Sequence, residues 1–318
     1  MAKVQLMIKY FLKSVVLLAI AVTVCCVIYP LAVWMVGQMV FPFQANGSLL
    51  YIHEKPVGSK LIAQPFTKDA YFHSRPSAAA YNAAASASSS LAPSNDALRD
   101  RVAQSLGLIA VYKTGSKAGQ SVGPDIDQWF QRDKFLDQAH LVTQWASLHP
   151  SAARSWVNAD AVRIAHVKDW AREHSEIEDP IVLFFREFSK RHPGAFPSFG
   201  NPSQLVNSGQ EIQSLFFEMW LEDHPEAEVA KVPADMVMTS ASGLDPHMTL
   251  ENAKYQLPRI VSEWSSHLKR DPKALYTEIE QRLEKNAAAP LGGLAGEKFV
   301  NVLEINIELY RCYGEPPL

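Results

Sequence analysis

The strongest pattern along the chain is an apolar run near its start. Residues 14–52 contain no Asp, Glu, Lys or Arg over 39 positions, and 14–36 are apolar on every face of a helix. A helix of about 20 such residues crosses the hydrocarbon core of a bilayer, so 14–36 predicts a transmembrane anchor. Lys3, Lys9 and Lys13 precede it and Glu54 is the first acidic residue. The positive-inside rule then assigns 1–13 to the cytoplasm and everything after Gly37 to the other side, with Tyr29 and Trp34 as outer interfacial anchors. A cleaved signal peptide fits less well. Its apolar core is roughly 7–15 residues and ends at a small-x-small site, whereas this run is longer and is followed by Tyr29-Pro30-Leu31. Pro30 predicts a kink at the outer end of the helix.

Beyond the anchor the pattern shortens and mixes. Residues 47–52 read as a strand, 53–56 as a turn, and 57–66 as a source for a second strand. Residues 77–90 hold seven Ala and five Ser in 14 positions, and no periodicity decides their structure. Asn95 reads as an N-cap before Ala97, Leu98, Val102, Leu106 and Ile109, which are spaced for a helix face. Later in the chain Thr249 caps a second helix carrying Leu250, Ala253, Leu257, Ile260, Val261, Trp264 and Leu268 on one face. A helix over 272–285 follows, then a Gly292-Gly293 hinge. Residues 299–307 alternate apolar with polar at period two, which predicts a half-buried strand. The expectation is one transmembrane helix carrying an exported α/β (α+β) domain in two parts, 37–114 and 231–318.

The intervening segment, 115–230, differs in character. It holds 17 acidic and 10 basic residues and five of the seven Trp (Trp129, Trp145, Trp156, Trp170 and Trp220). Helical spacing runs over 127–145, 155–173 and 203–221, broken at His149-Pro150 and by a Pro/Gly-rich loop at 194–202. Its 116 residues suffice for a core of their own, and an all-α insertion is expected.

Charge narrows the function. With 30 Lys plus Arg against 33 Asp plus Glu, the formal net charge is −3, and no basic surplus exists to bind nucleic acid. Cys25 and Cys26 lie in the span and Cys312 stands alone, so no disulfide framework forms in the outer body. The densest candidate chemistry is Ser242, Asp245 and His247 within one short stretch. A nucleophilic triad draws its members from separate segments, and Ser before Gly and Asp before Pro are turn formers, so turn architecture is the expectation. Six His (His140, His149, His166, His174, His192, His224) are scattered through the insertion with no i, i+3 or i+4 pair, which reads as surface His and not a zinc site. No GxSxG, Walker, GxGxxG or HExxH motif occurs.

The strings outside 115–230 resemble the C subunit of the bacterial potassium-transporting Kdp P-type ATPase. Tyr29-Pro30-Leu31, Phe41-Pro42 and the run from Gln44 through Asn46, Gly47 and Ser48 to Leu49 look like that family's membrane exit. Gly58-Ser59, Gln64 and Phe66 follow, then Arg75-Pro76-Ser77, Tyr81-Asn82 and the run 91–95. After the insertion come 232–235, Ser242-Gly243 with Asp245-Pro246-His247, Gln256 with Arg259, and 300–306 including Asn301. The order of these blocks carries the likeness more than any one of them, and the residues named are expected to be structural or interface positions, none of them catalytic. Ala or Ser replaces the family's Gly at Ala63, Ala87, Ser88, Ala92 and Ala241, and the insertion has no counterpart in the family pattern.

The resemblance implies a non-catalytic accessory subunit of the inner membrane with a periplasmic body. It would assemble with a channel-like potassium-binding subunit, a P-type ATPase subunit and a small single-span subunit, stabilising a translocase that imports potassium. Family descriptions also attribute ATP binding to this subunit. No phosphate-cradling loop occurs, and the expected topology puts the body on the side without ATP. The expectation is therefore that ATP and potassium are used by the complex, with no cofactor held directly. The alternatives are a membrane-anchored envelope hydrolase using Ser242, Asp245 and His247, and an envelope scaffold or adhesion module.

Overall fold

The computed structural model describes residues 2–135, 140–173, 180–201, 204–294 and 296–316. The N-terminal run forms α1 (Ala2–Thr23) and α2 (Tyr29–Val40), joined through a π-turn at Val24–Ile28. Its apolar stretch, Met7–Val40, is long enough to cross a membrane and buries none of its side chains in the protein. Pro30 explains the π-turn. Lacking an N–H, it cannot complete the ordinary i to i−4 ladder, and the helix widens just before it. There the Tyr29 N–H reaches back five residues to the Val24 carbonyl. The Thr23 hydroxyl is satisfied by the Ala19 carbonyl at 2.8 Å.

A four-residue helix, α3 (Pro42–Ala45), turns the chain into an antiparallel pair, β1 (Leu49–Ile52) and β2 (Lys55–Ser59). The connecting His53 and Glu54 both have left-handed φ, +47° and +64°, as a two-residue hairpin turn of the primed type requires. The second strand thus ends well before residue 66. Residues 60–95 contain no helix and no strand.

The rest of the body is α11 (Leu250–Leu268), α12 (Pro272–Asn286), α13 (Val302–Tyr313) and an antiparallel pair of β5 (His247–Thr249) with β6 (Phe299–Asn301). Its core joins Met248, Leu257, Ile260, Trp264, Ile279, Val300, Ile305 and Leu309 to Ala70 and Phe72 from before the insertion. The two parts of the body therefore share one apolar interior. The strand expected over 299–307 is corrected here: only 299–301 is strand, and α13 begins at Val302. Asn301 caps that helix, its Oδ1 accepting the Glu304 N–H at 3.1 Å. Asn301-x-x-Glu304 is a capping-box spacing that the alternation concealed. Val302, Leu303, Ile305, Asn306 and Ile307 are all buried, so the period-two reading found a helix packed on most of its faces.

The helical unit comprises α4 (Asp96–Ile109), α5 (Gly123–Arg132), α6 (Leu141–Leu148), α7 (Pro150–Asn158), α8 (Ala161–Glu173), α9 (Pro180–Arg191) and α10 (Gln210–Asp223). A two-residue strand pair, β3 (Phe196–Pro197) with β4 (Leu205–Val206), interrupts the expected all-α character. The helix expected over 127–145 is broken, with 136–139 outside the described residues. That over 155–173 is divided where the Asp160 carboxylate accepts the Val162 N–H at 2.7 Å. That over 203–221 starts at Gln210, after Gly209 at φ +90°. The helix α9, with Leu183 and Phe185 buried, was not anticipated.

One aromatic cluster holds this unit together. Trp145 contacts Phe196 edge-on at 4.9 Å and Phe185 at 5.5 Å, and Phe130 lies 4.5 Å from Phe216. Ala110 is buried in the same core and Leu106 packs against it. The helical core therefore begins at α4, ahead of residue 115. The chain enters and leaves side by side: Ala230 donates to the Val111 carbonyl at 2.9 Å and Lys113 to that of Glu228 at 2.8 Å.

The contact of α4 with α10 depends on Gly107, where an added Cβ would lie 2.2 Å from the Gln213 backbone oxygen. Backbone cannot yield as a side-chain tip can. Gly107→Ala is expected to destabilise the helical unit by about 1–3 kcal/mol, read by denaturant unfolding, despite the better helix propensity of Ala. An unchanged midpoint would show that the two helices separate freely.

Candidate functional site

The residues singled out by sequence fall into two groups. The first lies where the long apolar helix meets the body. Asn46 Nδ2 bonds the Pro42 carbonyl at 2.7 Å and Gln38 Oε1 at 3.1 Å, closing the short helix α3. Gly47 takes φ +83°, and its carbonyl accepts the Ser59 hydroxyl at 2.7 Å. Ser48 is buried, with its N–H on Phe43 and its carbonyl receiving the Lys60 N–H. Gly58 leaves room for the Gln64 amide, which reaches the Val57 carbonyl at 3.0 Å. These contacts make a polar collar between helix and hairpin.

The second group binds the irregular ribbon 60–95 to the body. Gln256, buried on α11, accepts the His73 N–H at 2.8 Å and returns a bond to the His73 carbonyl at 3.2 Å. It is held by Asn252 at 2.7 Å and by Arg259 at 2.9 Å. Arg259 also bonds the carbonyls of Asp69 and Tyr71. On α13, Asn306 brackets Phe72, accepting its N–H and donating to its carbonyl, both at 2.9 Å. The Trp264 indole N–H donates to the Ala70 carbonyl at 2.8 Å, and Asn301 Nδ2 to that of Lys60 at 2.8 Å. The Phe66 ring meets Tyr71 edge-on at 5.3 Å. Burial, aided by the Arg259 guanidinium, holds the His73 imidazole below its ordinary value.

The same ribbon is clamped at 240–249. The Ser77 hydroxyl bonds the Gly243 carbonyl, and Ala87 donates to that of Ser242 at 3.0 Å. Gly243 has φ +71°, and a Cβ there would stand 2.8 Å from the Ala87 carbonyl oxygen, so close approach and left-handed backbone both call for Gly. The Tyr81 hydroxyl reaches the Arg75 carbonyl at 2.9 Å, beside Pro76, and Asn82 Oδ1 closes a turn with the Ala84 N–H. Asp245 receives the His247 backbone N–H at 3.0 Å, His247 Nδ1 at 3.1 Å and Arg75 Nη1 at 3.2 Å. Those His247 bonds and the Arg75 charge hold the Asp245 carboxyl below the usual range, against burial. The Pro246 carbonyl accepts the Val302 N–H at 3.0 Å. Asp235 receives both the N–H and hydroxyl of Thr249, which in turn caps α11. Arg75, Asp235, Asp245, His247 and Phe299 line a groove of about 200 Å³.

Residues 240–246 are an irregular bend that leads into β5 at His247. The Ser242 hydroxyl accepts the Leu244 N–H at 3.1 Å, within its own loop, and is not among the hydrogen-bond partners of the His247 ring, whose Nδ1 bonds Asp245. The nucleophile and base of a hydrolytic triad are thus not brought together. Among the described residues, no three His, Cys, Asp or Glu side chains group as metal ligands. The insertion's His are dispersed: His149 bonds Asp100 at 3.0 Å, His140 lies 3.0 Å from Asp133, and His224 bonds the Trp220 carbonyl. His174, and the side chains of His166 and Trp170, lie outside what the structure describes.

Sequence reasoning missed Asn306 and the Trp264 indole as holders of the ribbon, and Asn252 as the support of Gln256. A polar residue in an otherwise buried helix was the available signal, since such groups persist inside only when paired.

Two tests follow from this geometry. Asn306→Ala strands the buried N–H and carbonyl of Phe72 and is expected to cost about 2–5 kcal/mol in denaturant unfolding. Asp245 supplies stability that is present above its unfolded pKa of about 3.9 and is lost as pH falls through its lower folded value. Asp245→Asn should flatten the unfolding midpoint's dependence on pH below about 4. An equal acid sensitivity in that variant would remove Asp245 from the account.

The arrangement is one of side chains gripping backbone, and comparisons with known proteins give the family that carries it. The family model described as K+-transporting ATPase, c chain, matches residues 11–128 and 206–311, leaving 129–205 unmatched. A potassium-transporting ATPase KdpC subunit of Koribacter versatilis is 24% identical over 303 residues, covering 95% of this chain and 94% of that protein. A KdpC subunit 2 of a Nostoc species is 45% identical over 168 residues, covering 50% of this chain and 80% of the relative. A Pseudomonas putida KdpC subunit is 52% identical over 95 residues, 30% of this chain and 52% of the relative. Since the matched segments include most of the apolar N-terminal helix, both sides of the clamped ribbon and the helices that grip it, the chain belongs to the KdpC family, the c chain of K+-transporting ATPases.

Proposed function

We propose that this chain is a non-catalytic accessory subunit that stabilises a potassium-importing P-type ATPase by joining its channel-like and ATPase subunits. The observation that supports this best is the use to which the family-like residues are put. Gln256, Arg259, Asn301, Ser77 and Gly243 are engaged with the protein's own backbone, and no nucleophile–base pair is assembled among them. A rigid body on a single apolar helix suits a part that holds other parts. In this reading the small single-span subunit completes the assembly, and ATP and potassium are turned over by the partners.

The charge distribution supports an orientation. Lys3, Lys9 and Lys13 precede the uncharged run that starts at residue 14, and by the positive-inside rule they favour an N-terminus in the cytoplasm and a body in the periplasm. The inner membrane is then the site of action.

Fusions after residue 60 are expected to be active with an exported reporter and silent with a cytoplasmic one. Affinity purification through this chain is expected to bring down a potassium-stimulated ATPase, and Gln256→Ala to lower its yield more than its activity per complex. Recovery of the chain alone from intact membranes would overturn the accessory role. An active cytoplasmic reporter would overturn only the orientation.

A further inference from the structure

An aromatic-walled cavity lies in the helical unit, away from the clamped ribbon. It measures about 530 Å³ and opens between α5, the end of α10 and the loop after Tyr112. That size suits a small organic ligand. Four rings follow one another along it. Tyr112 meets Trp220 edge-on at 6.5 Å, Trp220 stacks on His224 at 5.1 Å, and His224 meets Trp129 edge-on at 6.5 Å. Carboxylates surround the rings. Asp125, Glu226 and Glu228 line the cavity, and Asp223 accepts the Trp129 indole N–H at 3.2 Å.

The cavity already holds an ammonium group, supplied by the protein. Lys117 Nζ stands 5.5 Å from the centre of the Tyr112 ring and 2.7 and 2.8 Å from the two oxygens of Asp125. The Tyr112 hydroxyl donates to the same carboxylate at 2.5 Å. Partial burial works against ionisation of Asp125, but the bonds from Lys117 and Tyr112 outweigh it and keep its carboxyl below the usual range. Lys117 is carried on a loop bounded by Gly115 and Gly119, both at positive φ, and its side chain is half exposed. An exposed ion pair of this kind holds its partner by a factor of only about five or less, so it is readily displaced. The remaining cation of the lining, Arg132, is exposed, and Glu226 and Glu228 offset it.

Aromatic faces backed by carboxylates select positive charge with apolar substituents, because the ring quadrupole attracts the cation while the rings shelter its alkyl groups. We propose that this cavity binds a small alkylated ammonium compound, and that Lys117 occupies the cation position when the ligand is absent. Nothing in this inference depends on the transport role.

The test is calorimetric titration of the full-length chain in a maltoside detergent, at constant ionic strength, with choline and with its neutral isostere 3,3-dimethyl-1-butanol. Choline is expected to bind one to one, and the isostere at least tenfold more weakly. Lys117→Ala is expected to tighten choline binding by up to about fivefold, by removing the internal competitor. Trp129→Leu should abolish the heat. Glu226→Gln, at an exposed position with no folding role, should weaken binding two- to fivefold. Equal binding of choline and the isostere, or no choline binding even in Lys117→Ala, would overturn the proposal.

Discussion

A buried peptide group without a hydrogen-bond partner costs about 1–3 kcal/mol, and this protein packs residues of an irregular ribbon against its core. Ala63, Ala70 and Phe72 are buried although residues 60–95 form no ladder of their own. Side chains must therefore supply what a sheet would have supplied. Asn306, Gln256, Arg259, Trp264 and Asn301 each hand a donor or acceptor to that backbone. Their helices can take few other orientations while all these bonds are kept. The positions of α11 and α13 follow from the ribbon as much as from the apolar core beneath it.

The helical unit obeys a different constraint. Its interior is almost entirely aromatic and aliphatic, and tolerance there is set by shape: Trp145, Phe185, Phe196 and Phe216 interlock within 4.9–6.4 Å. Buried polar groups are fewer but expensive. The His149 ring, 4% exposed, pairs with Asp100 while its Nε2 lies 3.9 Å from a Glu218 oxygen. That cluster joins α4, the start of α7 and α10, which is why α4 is committed to this core despite its family-like sequence.

Much of this was legible in the sequence where a local rule dominated. The caps at Asn95 and Thr249 and the apolar face of α11 follow from hydrogen-bond chemistry and period alone, and the structure has each of them. The N-terminal helix long and apolar enough to span a membrane was visible in the same way, as one long apolar run. The strand expected over 299–307 failed because tertiary burial on most faces of α13 erased the 3.6-residue signature. The ribbon was illegible for a related reason. Its conformation is written in side chains nearly 190 and more than 230 residues away, at Arg259 and Asn306, and no local pattern carries that information. The bend at Asp245-Pro246 follows from Asp before Pro, but its tie to Arg75 across 170 positions is written in no local pattern.

The π-turn ahead of Pro30 changes what the apolar helix can present to a neighbour. One residue more in a turn shifts the phase of everything beyond it by about 100° relative to an uninterrupted α-helix. A stripe of side chains followed from Val16 or Ile20 upward therefore does not continue along the same flank of α2. The two halves face different directions, so a single rod presents one flank along α1 and a different one along α2. A one-residue deletion within Val24–Ile28 would realign the halves and leave the apolar length nearly the same.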